Sequence, residues 1–179
     1  MAGNSMKTRL APRHALAGLQ AGIFGALLML AWLMLTSKWK SGSAWLMPNL
    51  FATTFYGSGV YRNQLLRASW SGVALMLSIY GGAGILWGVL WRDEKRPLMV
   101  FYGAATGLLV YYVFFHVIWK ALNPLLTLYS PDRQLEFAHV LWGLALTRSP
   151  LYSRRIASVQ ELSADTQDGA EVRSGEVIR

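Results

Sequence analysis

The stretch Leu98 to Trp119, LMVFYGAATGLLVYYVFFHVIW, holds no acidic or basic residue in 22 positions, with Lys95-Arg96-Pro97 before it and Lys120 after it. At a rise of about 1.5 Å per residue it makes roughly 33 Å of helix, enough to cross a hydrocarbon core of about 30 Å. It reads as a transmembrane helix. Gly103 and Gly107 form a small-xxx-small pair along one face, and His116 falls about half a circumference away from Gly107.

Composition supports this reading. Residues of the hydrophobic set make up 54% of the chain and charged residues only 15%, which describes a polytopic membrane protein with one membrane domain rather than a soluble domain. Residues 1–155 hold fifteen Lys/Arg against four Asp/Glu, net +11, while 156–179 hold two against five, net −3. The basic residues flank apolar runs instead of forming a stripe, so membrane topology explains them better than nucleic acid does. The absence of cysteine removes disulfides, thiolate metal sites and cysteine nucleophiles.

The expected fold is an all-α integral membrane four-transmembrane-helix bundle, with spans at about 15–36, 69–91, 98–119 and 131–148. Lys7, Arg9 and Arg13 make residues 1–14 a basic N-tail, and the apolar run after them is longer than a signal-peptide core. Between spans one and two, Trp45 to Tyr61 is apolar and aromatic but broken by Pro48, Asn49, Thr53, Thr54, Gly57 and Gly59. It predicts a short interfacial or re-entrant helix, interfacial being preferred, with Asn49 as a cap and Phe51 and Phe55 on one face. The six-residue connector Arg92 to Pro97 predicts an antiparallel hairpin of spans two and three. Ser130-Pro131-Asp132 predicts a helix start, with the serine as cap and the proline at the first helical position. Residues 153–179 are rich in Ser, Asp, Glu, Gln and Gly and read as a disordered tail.

Lysine and arginine are dense in the N-tail, in the second connector and after the fourth span, which predicts both termini in the cytoplasm of a bacterial-type plasma (inner) membrane; Arg62 and Arg67 are the contrary residues. Glycines of the first, second and third spans and Gly143 collect in the cytoplasmic half. They predict close helix contacts, self-association, or association with other membrane-protein subunits in the lipid bilayer.

The candidate site residues are His116, His139, Glu136 and Tyr112. The two histidines share a depth, Glu136 precedes His139 by three residues and Tyr112 precedes His116 by four, so two polar pairs could face one another across a helix hairpin. Bis-imidazole haem b ligation is one functional reading, and a quinone headgroup site is another. The plainer account is that these side chains snorkel or hydrogen-bond to a neighbouring helix. The Glu-x-x-His spacing lacks the repeated motif and further carboxylates of a di-iron bundle. No phosphate loop, metalloprotease motif or nucleophile elbow is present, and no metal site is indicated. The first expectation is a non-enzymatic accessory or assembly subunit without cofactor. A haem b or quinone module is the alternative, and a small transporter the second, although neither an internal repeat nor a polar path supports the last.

Overall fold

The computed structural model describes residues 3–91 and 96–160, and side chains within 12–91 and 98–160. Every regular element in these residues is helical. In chain order they are α1 (Gly3–Ser41), α2 (Leu46–Tyr56), a 3₁₀ turn (Ser58–Val60), α3 (Arg67–Leu90), α4 (Arg96–Tyr112), a π turn (Val113–Ile118), α5 (Trp119–Leu122), α6 (Pro124–Tyr129) and α7 (Asp132–Leu146). A last helix, α8, covers 149–160.

Among the described residues, three helical segments are long and apolar enough to cross a membrane: Pro12–Ser41, Arg67–Leu90 and Leu98–Leu122. Their outward faces are apolar, with Leu86, Phe101, Leu109 and Val117 between 63% and 70% exposed. In water such surface would be a severe liability; in lipid it is the expected exterior.

Glycine sets the packing. A Cβ added at Gly18 would stand 2.2 Å from the carbonyl oxygen of Gly84, and one at Gly88 would stand 2.3 Å from that of His14. Gly22 in turn faces Tyr80 and Gly84, so rising numbers on α1 meet falling numbers on α3 and the two run antiparallel, backbone against backbone. The same device joins α4 to α7, where Gly103 faces Gly143 and Gly107 faces the carbonyl of His139. Gly25 then seats the Trp142 ring, which ties α7 to α1, and the Trp142 indole N–H donates to the Gly22 carbonyl at 3.2 Å. Two glycine-matched antiparallel pairs are thereby joined through α1 and α7.

Spans two and three are antiparallel as expected, but each finds its main partner elsewhere: α3 packs on α1 and α2, and α4 packs on α7. Ring contacts link the two, Trp91 stacking on Tyr102 at 4.5 Å. The connector residues 92–95 lie outside the described residues.

Four local expectations need correction. Asn49 lies inside α2 instead of capping it. Phe51 and Phe55 part company, the first fully buried and the second 58% exposed. Ser130 does not cap α7; Pro131 holds the N-cap position, and the buried Ser130 hydroxyl has no partner among the described residues. The tail expected to be disordered from 153 is helical to 160 with Ser153 buried, and the remainder of that expectation lies outside the described residues.

Candidate functional site

His139 is held where α7 meets α3 and α4, and its ring is fully buried. Its Nδ1 lies 2.7 Å from the Leu135 carbonyl oxygen, one turn back on α7. A carbonyl only accepts, so Nδ1 carries the hydrogen, and in the neutral ring Nε2 presents its lone pair. Tyr80 of α3 meets that nitrogen at 2.8 Å, so its hydroxyl donates. One hydrogen bond thus crosses between two helices, and both ring nitrogens are engaged by the protein itself.

Aromatic edges enclose the pair. Tyr80, Tyr111 and Phe115 contact the His139 ring with centroids at 5.4, 5.3 and 5.6 Å and steep interplanar angles. Trp142 closes the far side of Tyr80 at 5.5 Å. The room for this comes from α4: Gly107 lets the backbone of α7 approach, which brings Tyr111, one turn later, against the histidine.

His116 sits on the π turn, where the Trp119 N–H reaches back to the Phe114 carbonyl. Extra turns of this kind re-aim side chains and occur frequently at functional positions. The imidazole is exposed on the outer surface of the helix and stacks on Tyr112 at 4.4 Å and 11°. Both histidines touch Tyr111, at 5.6 Å for His116 and 5.3 Å for His139, so they share a level in the bundle while its ring stands between them. Glu136 is exposed on α7, and Tyr112 is 64% exposed. The structure therefore pairs Tyr112 with His116 on the surface, and pairs His139 with a residue outside the sequence-based set, Tyr80. The available signal for Tyr80 was its position as the one tyrosine within Arg67–Leu90, set directly before Gly81-Gly82.

A second polar cluster fastens α2. The Asn49 side chain donates to the Arg62 carbonyl at 2.6 Å and the Gln64 carbonyl at 2.8 Å. Its own oxygen accepts from the Ser69 hydroxyl, which in turn accepts the Leu66 N–H and so caps α3. At the other end Asn123 donates to the Thr53 and Thr54 hydroxyls at 2.8 and 3.0 Å. All residues from Met47 to Thr53 are buried, and a Cβ at Gly72 would collide with the Pro48 carbonyl.

No group of three or more potential metal ligands occurs among the described residues. What fold and site define, among the described residues, is an all-helical protein with three apolar, membrane-length helices. No family model, curated protein or solved structure matches the chain.

Proposed function

We propose that this protein is a small non-enzymatic component of a bacterial-type plasma membrane, an accessory or assembly subunit crossing the bilayer four times with both termini in the cytoplasm. The observation that carries the reading is the Tyr80–His139 bond: the buried histidine of α7 is satisfied at both nitrogens by the chain's own groups. That is the expected arrangement of a bracing residue between membrane helices. The glycine faces are likewise filled internally, so a partner subunit would meet the apolar outer faces.

The fourth crossing is assigned to α7. By itself α7 measures about 22 Å; it ends at the turn 147–148, and Arg148, Arg154 and Arg155 follow it. For α2 the buried run Met47–Thr53 favours a re-entrant helix, since one lying in the interface would keep a face among the headgroups. A second reading is favoured by the exposed Tyr112–His116 stack on the π turn, which offers a polar, aromatic contact for a partner helix or a quinone headgroup.

The test is affinity capture of the full chain in mild detergent after crosslinking in membranes, with absorption spectra and extracted quinone measured on the same material. A stoichiometric membrane-protein partner and no chromophore support the accessory role. A haem Soret band lost in both His116→Ala and His139→Ala would replace it. For topology, reporter fusions after Arg13, at Glu94 and after Arg155 should report cytoplasm, and a periplasmic signal at Glu94 would overturn the orientation.

A further inference from the structure

An open groove of about 640 Å³ runs between α1 and α8, with Ile23 and Phe24 on one wall and Ile156 and Val159 on the other. Its lining follows positions 20, 23, 24 and 27 of α1 and 152, 155, 156 and 159 of α8. That is one stripe of each helix at helical spacing, so the two faces look at each other across a gap instead of meshing. Two cations adjoin it. Arg155 belongs to the lining, and the Arg148 guanidinium lies 4.7 Å from the centroid of the Phe24 ring. Arg154 is exposed on the same helix.

An apolar trough with one guanidinium in its lining, that of Arg155, and a second, that of Arg148, packed on the ring of a wall residue matches a molecule with hydrocarbon chains and an anionic head, and the volume lies in the range of ordinary ligand sites. We propose that this groove is a binding site for an anionic glycerophospholipid, its acyl chain held between α1 and α8 and its phosphate bound by Arg155 and Arg148. Arginine suits that head because its planar fork matches phosphate oxygens two at a time. Basic pockets beside membrane helices recognise anionic headgroups on the same physical grounds. The charge complementarity selects a lipid over a partner helix, which would fill the trough without using the arginines.

The experiment reconstitutes the full chain in nanodiscs of phosphatidylcholine containing a minority of phosphatidylglycerol, then counts lipids retained on release in a native mass spectrometer. Retained lipid should be enriched in phosphatidylglycerol over the surrounding bilayer. Arg155→Ala should lower that enrichment about fivefold, the weight of one arginine near an anionic surface, and Arg155→Lys should recover part of it. Ile156→Trp, which fills the trough, should reduce retention of both lipids with the circular dichroism unchanged. Equal retention of the two lipids, or enrichment unmoved by Arg155→Ala, would overturn the site. A chain ending at Gln160 that retains far more lipid than the full chain would identify residues 161–179 as the occupant, and would overturn it equally.

Discussion

Tyr80 and His139, 59 residues apart in the chain, are joined by a 2.8 Å hydrogen bond between two fully buried side chains. The tyrosine hydroxyl can donate because Leu135 has already fixed the hydrogen on the other ring nitrogen. Interhelical bonds of this kind contribute about 0.6 kcal/mol on average and rarely more than about 2 kcal/mol. Tyr80→Phe should therefore lower stability by about 1 kcal/mol in detergent unfolding. A double-mutant cycle with His139→Leu should give a coupling in that same range. Zero coupling would show that the two side chains do not act on each other.

The two histidines should behave differently. His116 is exposed and stacked on an exposed tyrosine, so His116→Ala should move stability by no more than about 0.5 kcal/mol. His139→Ala removes a buried ring and strands the Tyr80 hydroxyl, and it should cost about 2 kcal/mol or more. Equal losses in thermal melts of the two variants would contradict these surroundings.

Glycine substitutions separate close packing from hydrophobicity. A Cβ at Gly84 would fall 2.4 Å from the Gly18 carbonyl and one at Gly107 2.2 Å from the His139 carbonyl, in each case against backbone that cannot rotate away. Gly84→Leu and Gly107→Leu should each cost about 3 kcal/mol and depress folded yield. Leu109→Ala, at a residue 63% exposed, should be nearly silent. Gly82→Ala is the control, since nothing lies within 4 Å of its added Cβ. Comparable yields for all four would remove the backbone-contact account.

The sequence made the helical class, the long apolar helices and the glycine faces legible, because each is written within a single segment: an uncharged run, or small residues at helical spacing. Which faces meet is not written there. Gly103 and Gly107 announce a close contact but not whether α3 or α7 fills it, and the short connector after Leu90 fixes the direction of α4 without naming its main partner. Apolarity also misleads about depth in lipid. The stretch Leu98–Trp119 is a continuous uncharged run, yet its side chains Phe101, Leu109 and Val117 face outward, while α7, which begins with Asp132, Arg133 and Glu136, buries His139 and Trp142 in the centre. With lipid as the solvent, hydrophobicity marks what the bilayer sees, and polar groups mark what it does not. His139 was identifiable as a candidate for that reason. Its partner was not, since a lone tyrosine in a span does not specify which of the other helices it faces.

The asparagines predict the behaviour of the loop after α2. Asn49 is buried inside a helix that it does not cap, and its amide holds two carbonyls of the following loop, those of Arg62 and Gln64. Both bonds lock backbone that has little other regular structure after the 3₁₀ turn, and the Ser69 hydroxyl completes the brace to α3. In Asn49→Ala those carbonyls lose their donor, so opening of the loop should become easier by about 1.4 kcal/mol, which is tenfold in the open population. Trypsin cleaves after Arg62 and Arg67, and cleavage in the regime of fast opening and closing follows that population. The Asn49→Ala chain in detergent should therefore be cut at Arg62 about tenfold faster than the parent. Asn123→Ala, which frees Thr53 and Thr54 at the opposite end of α2, should leave that rate within about twofold while lowering the melting temperature. Equal acceleration by the two substitutions would mean that α2 and its loop open as one unit, and the local clamp at Asn49 would have to be abandoned.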